Sequence, residues 1–174
     1  MDIGTVKNHV SRYLSAMDFQ TACALFVIRI GQLNKIYDTL GQKAGDQEVY
    51  RIGQTLSLSF RATDIVGRTG KDEFAIFISG AITKDGIREK AELLKHSLEK
   101  IIETDRPEKQ EIYIGICMAA GTGINFDEMY GTACGALENV QSSEEDKAQI
   151  HIGEIHTDKS RIVAMSFCEP RSCT

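Results

Sequence analysis

No apolar run in this sequence approaches the roughly 20 residues that a membrane-crossing helix needs, and the N-terminus has no basic-then-apolar signal. Positive charge is also short. With 20 Lys and Arg against 25 Asp and Glu the net charge is −5, which argues against nucleic acid or an anionic membrane surface as the main partner. The five cysteines (Cys23, Cys117, Cys134, Cys168, Cys173) form no C-x-x-C pair and no zinc spacing. His9, His96, His151 and His156 are scattered, and none pairs with acids at metal-ligand spacing. There is no internal repeat and no low-complexity tract. These absences describe a reduced, cytoplasmic domain that makes no membrane contact and uses no structural metal.

What is present is an ordinary globular composition, 42% hydrophobic and 26% charged. Its 174 residues suit one domain with a short tail. Thr5–Met17 has helical spacing of Val6, Val10, Tyr13, Leu14 and Met17 and reads as an amphipathic helix. Ala22–Ile30 is nearly unbroken apolar up to Arg29, as in a strand buried on both faces. Leu33–Leu40 is a short helix closed by Gly41, and a second helix runs from about Gly45 to Phe60. Strands Asp64–Arg68 and Phe74–Ser79 flank a glycine-containing turn, which predicts a hairpin.

Asp85 opens a helix with Ile87, Ala91, Leu94, Leu98, Ile101 and Ile102 on one side, ending before Pro107. Glu111–Ala119 is the next strand. Asn125 and Glu128 have capping-box spacing and start a helix reaching Val140. Ala148–Ile152 is the last strand, and 153–174 is a tail or linker. Alternating strands and helices around one hairpin imply an α/β (α+β) layer fold of the split β-α-β, ferredoxin-like type, with a mainly antiparallel sheet, a central hairpin and flanking helices.

The hairpin carries the most specific residues. Arg68-Thr69-Gly70-Lys71-Asp72-Glu73-Phe74 resembles the GGDEF signature of diguanylate-cyclase-like domains, with lysine at the second glycine. Asn34-Lys35-Ile36-Tyr37-Asp38-Thr39-Leu40-Gly41 and Ala44-Gly45-Asp46 are similar to the family's segment after the first strand, and Ala133–Val140 to its last helix. The resemblance spans Thr5–Ile152 and implies a nucleotidyl-cyclase-like fold. In active members, two acids hold two magnesium ions over the phosphates of guanosine triphosphate (GTP). Two such subunits then join two GTP into cyclic di-GMP.

Several positions depart from that pattern. Arg29 stands where the first-strand acid belongs, so a metal relying on Asp72, Glu73 and the Ile30 carbonyl lacks a partner. An Arg29–Asp72 salt bridge is expected in its place. The guanine-contacting asparagine is Tyr37, with its partner acid kept as Asp46. The first-helix lysine is Asn34, and the late phosphate-binding cations fall at Gln141 and Glu145. Gly70 is kept, whereas Lys71 puts a side chain where glycine lets a ligand approach.

One feature of the family survives. Arg61-Ala62-Thr63-Asp64 matches its R-x-x-D product-inhibition motif: an arginine hydrogen-bonds the N7 and O6 edge of guanine and a carboxylate accepts from N1 and N2. Arg88 lies near where a second arginine is often added. A purely structural alternative has Arg61 capping the preceding helix and Asp64 anchoring the turn. The resemblance thus implies a non-catalytic module that binds cyclic di-GMP through Arg61, Asp64 and Arg88, with no cofactor. A divergent cyclase using magnesium, and a protein-interaction or GTP-holding domain, remain as alternatives. A homodimer, or fusion to a sensory or EAL phosphodiesterase domain, is the partnership it implies.

Overall fold

A computed structural model describes residues 1–18, 20–102, 111–142 and 150–156. Among them the order is α1 (Ile3–Ala16), β1 (Ala22–Ile30), α2 (Gln32–Leu40), α3 (Gln42–Ser59), β2 (Ile65–Arg68), β3 (Glu73–Gly80), α4 (Lys84–Ile102), β4 (Ile112–Ala120), α5 (Phe126–Ser142) and β5 (Ile150–His156). The five strands form one sheet in the order β2-β3-β1-β4-β5. All neighbours are antiparallel except β4 and β5.

The expected α/β layer fold is present, with one change. The hairpin is central in the chain but lies to one side of the sheet. β3 is interior beside β1, β2 is the edge, and β1 takes the middle. The near-continuous apolar run of β1 fits this, since an interior strand covered by helices buries both of its faces.

Side chains of β1 alternate between two cores. Ala24, Phe26, Ile28 and Ile30 pack with Leu33, Ile52, Leu56, Ile87, Leu94 and Leu98 from α2, α3 and α4. Cys23, Leu25 and Val27 pack instead with Val6, Val10 and Leu14 of α1 and Met129 and Ala133 of α5. Cys23 and Cys117 are buried and free, and burial pushes both thiols up to about 12. Cys134 is partly buried, while Cys168 and Cys173 lie outside the described residues.

Local signals account for most boundaries. The Asp2 carboxylate accepts from the Thr5 N–H at 2.8 Å and caps α1. Asn125 and Glu128 form the expected capping box, each side chain accepting from the other's N–H at 2.9 and 3.2 Å. α3 begins at Gln42, earlier than the sequence suggested. Gly41 (φ +84°) breaks the chain for one residue only, and helix resumes directly. Gly45 falls within α3 because its missing side chain makes room for the Tyr37 ring. β5 runs to His156, past the Ala148–Ile152 expected. Tail residues 157–174 lie outside the described residues.

Candidate functional site

Strand register decides how the acidic hairpin meets β1. Arg29 stands directly opposite Glu73 in the β1–β3 pairing, so the two side chains share the sheet face covered by α1 and α5. The Arg29 guanidinium donates to Glu73 Oε2 at 3.1 Å. The expected Arg29–Asp72 salt bridge is therefore corrected to Arg29–Glu73. Asp72 precedes the strand and points elsewhere, where its carboxylate accepts from Asn34 Nδ2 at 2.9 Å. Its carbonyl accepts from the Ile30 N–H at 2.9 Å, tying the end of β1 to the turn.

Glu73 is only 8% exposed, and a carboxylate there needs several donors. Beyond Arg29, its Oε1 accepts from the Thr69 hydroxyl at 2.8 Å and from the Tyr130 hydroxyl. Burial, and then the Glu73 carboxylate itself, push the Tyr130 phenol well above its ordinary range, so it stays a neutral donor. Tyr130 projects from α5 and was not foreseen. The signal was parity alone: residues on the α5 face of β1 and β3 meet side chains of α5.

The turn itself is held from within. Arg68 Nε and Nη2 donate to the carbonyls of Gly70 and Lys71 at 3.0 and 2.6 Å. The Thr69 and Gly70 N–H groups donate to the Glu73 carbonyl at 2.9 and 3.1 Å. A side chain on Gly70 would crowd Glu73 Cβ at 3.3 Å. Lys71 is exposed, its ammonium 5.3 Å from the centre of the Tyr37 ring. The Tyr37 hydroxyl donates to Asp46 Oδ1 at 3.0 Å, and Gln42 Nε2 donates to the same oxygen at 3.0 Å. Asn34, Tyr37, Asp46, Gly70, Lys71, Asp72 and Glu73 are thus brought to one end of the sheet, with Arg29 and Tyr130 beneath. Gln141 lies in the last turn of α5, and Glu145 falls outside the described residues.

A second cluster sits between α3 and β2. The Asp64 carboxylate accepts from the Arg61 N–H at 2.8 Å, and the Asp64 N–H donates to the Arg61 carbonyl at 3.0 Å. Asp64 therefore anchors the turn, as the structural alternative supposed. Arg61 does not cap α3. Lys90 of α4 does so, donating to the Ser59 carbonyl at 3.2 Å with its ammonium 4.4 Å from the Phe60 ring centre. The exposed Arg61 guanidinium makes no hydrogen bond or ion pair among the described residues. Arg88 is exposed on α4 and is joined to neither Arg61 nor Asp64.

A mainly antiparallel sheet layered by helices, with an acidic turn at the end of its middle strand, defines the class, and comparison with known proteins defines the family. The family profile described as "Diguanylate cyclase, GGDEF domain" matches residues 5–147, and the chain belongs to the GGDEF family. Probable diguanylate cyclase DgcT of Escherichia coli (strain K12) is 25% identical over 140 residues, covering 78% of this chain and 31% of that protein. Probable diguanylate cyclase DgcC of the same organism is 35% identical over 63 residues, 36% of this chain and 17% of that protein. The chain spans less than a third of the length of either relative.

Among solved structures, the GGDEF domain of DgcB from Caulobacter crescentus in complex with c-di-GMP superposes with TM-score 0.72 at 14% identity. It covers 87% of this chain and 90% of that one. The S helix-GGDEF-EAL structure of Vibrio cholerae LapD, bound to c-di-GMP, gives 0.73 at 16%, covering 90% of this chain and 36% of that one. At such identities the likeness is one of fold. No helix among the described residues is long and apolar enough to cross a membrane.

Proposed function

We propose that this domain does not condense GTP and serves as a regulatory module that binds cyclic di-GMP at the Arg61–Asp64 turn. The observation that carries the first half is the engagement of the hairpin acids. Glu73 is held by Arg29, Thr69 and Tyr130, and Asp72 by Asn34. Two-metal chemistry requires clustered, open carboxylates. The donor set does not fit a pair of magnesium ions. With GTP and magnesium or manganese, the purified domain is expected to make no cyclic di-GMP above an Asp72→Ala control. Turnover that this substitution removes would overturn the reading.

Ligand binding is supported by the division of labour in the second cluster. Lys90 caps the helix and Asp64 closes the turn, so among the described residues no hydrogen bond or ion pair uses the Arg61 guanidinium. An exposed planar donor beside a carboxylate suits the edge of guanine. Relatives of the same fold, DgcB and LapD, were captured with cyclic di-GMP. Losing a charge-assisted hydrogen bond costs about 1.5–3 kcal/mol, so Arg61→Ala is expected to weaken cyclic di-GMP at least about tenfold in calorimetry. Its melting temperature should hold. Unchanged affinity with a lowered melting temperature would return Arg61 to a structural role. The LapD architecture also supports service beside an EAL domain in a longer protein.

A further inference from the structure

We infer that the open edge of β2 beside Val66 is a docking surface for a partner protein, which adds an extended segment there carrying an apolar residue next to an acidic one. Hydrogen bonding alternates along an antiparallel pair. The Thr69 N–H donates to the Glu73 carbonyl at 2.9 Å. By that alternation Gly67 and Ile65 also turn their polar groups toward β3, while Val66 and Arg68 turn theirs outward. At Arg68 the outward N–H is taken by the Met1 carbonyl at 2.7 Å, so one extended residue of the chain itself is already seated on this edge. The N–H and carbonyl of Val66 have no hydrogen-bond partner among the described residues.

The two faces beside that edge differ. On the α1 side it is closed, since a Cβ on Gly67 would lie 2.9 Å from the Met1 carbonyl oxygen and nearer still to Val6 Cγ2. On the α3 side a groove of about 580 Å³ runs beside Val66, lined by Val49, Tyr50, Gly53, Leu58 and Phe74. Tyr50 is 66% and Leu58 88% exposed. Apolar groups gathered along an unpaired strand are what an added strand covers. Arg68 also lines the groove and Lys71 follows it in the chain, whereas Asp64 and Asp72 are engaged by the Arg61 N–H and by Asn34. That end is basic in a chain of net charge −5, and it complements an acidic segment. A second copy fits less well, because pairing two β2 edges antiparallel about Val66 would bring Lys71 toward Arg61 of the other copy.

The test uses three end-capped pentapeptides: Glu-Val-Thr-Val-Glu, Lys-Val-Thr-Val-Lys, and the acidic one with its central amides N-methylated. Two backbone hydrogen bonds and a little apolar contact give an isolated peptide millimolar affinity, so binding is read by NMR titration of the isotope-labelled domain. At low salt the acidic peptide should shift the Val66 and Gly67 signals and slow exchange of the Val66 amide. It should bind at least about fivefold more tightly than the lysine peptide. The N-methylated peptide should not bind. Leu58→Ser should weaken the acidic peptide, and Lys71→Glu should reverse the preference between the two charged peptides. Both positions are exposed, so both variants should fold. An acidic peptide that leaves Val66 exchange unchanged, binds no better than the lysine peptide, or tolerates N-methylation overturns the proposal. So does protection of Val66 that rises with protein concentration in the absence of peptide, which would assign the edge to a second copy.

Discussion

Gly115→Ala is expected to destabilise the fold by about 3 kcal/mol, near the upper end for overpacking, and Gly115→Val by more than about 4 kcal/mol. Gly115 is on the face of β4 that carries α5. A Cβ there would lie 2.7 Å from Leu137 N and 2.8 Å from Leu137 Cβ, and nearer still to the Ala133 carbonyl oxygen. These are main-chain atoms and a side-chain root, so no rotamer change makes room. The whole helix must lift from the sheet. That movement would open the core around Met129 and Ala133 and displace Tyr130 from Glu73. For a chain of this length the alanine variant should melt about 6–12 °C lower. A shift of only a degree or two would mean that α5 slides on β4 at little cost.

Arg29→Ala is expected to cost about 3 kcal/mol, because it leaves the Glu73 carboxylate buried without its cation. Thr69 and Tyr130 still donate, but neither carries charge. Arg29→Asp should lose more, since it sets a second carboxylate opposite the first across the strand pair. Its loss should be partly recovered by millimolar manganese or magnesium, because an ion that binds only the folded state raises its stability. Even so, cyclase activity should remain negligible, with Asn34, Tyr37 and Asp46 still arranged as they are. Thermal melts of the three proteins with and without the ion test this. An Arg29→Ala protein as stable as wild type would make the Arg29–Glu73 pair peripheral. Strong activity in Arg29→Asp would undo the non-catalytic reading.

Periodicity made much of this architecture legible before any coordinates. The Ala22–Ile30 run announced a strand buried on both faces, the Ile87–Ile102 stripe a helix on a core, and Asn125 and Glu128 a capped start. Lys90 was invisible as a cap for α3, because a helix-end carbonyl satisfied by another helix leaves no local trace. The hairpin's place in the sheet was also hidden, since order along the chain does not set order across a sheet. At the site, the family motif drew attention to the hairpin acids, but pairing Arg29 with Asp72 left out the strand register, which sets Glu73 opposite Arg29. The two-residue period of β-strands, applied to both strands, favours Glu73 instead. Tyr130 could not be singled out among the polar residues of α5 without knowing which of its faces meets the sheet.

The position of β1 has a consequence for how the chain comes apart. Its odd residues complete one core and its even residues the other, while its backbone pairs with β3 and β4. Neither half can lose order without uncovering a face of the same strand, so the two layers behave as one cooperative unit. The strand's partners lie some 45–100 residues further along the chain. Assembly must therefore wait for large loops to close, which places this domain among slower-folding topologies than a helical bundle of the same size.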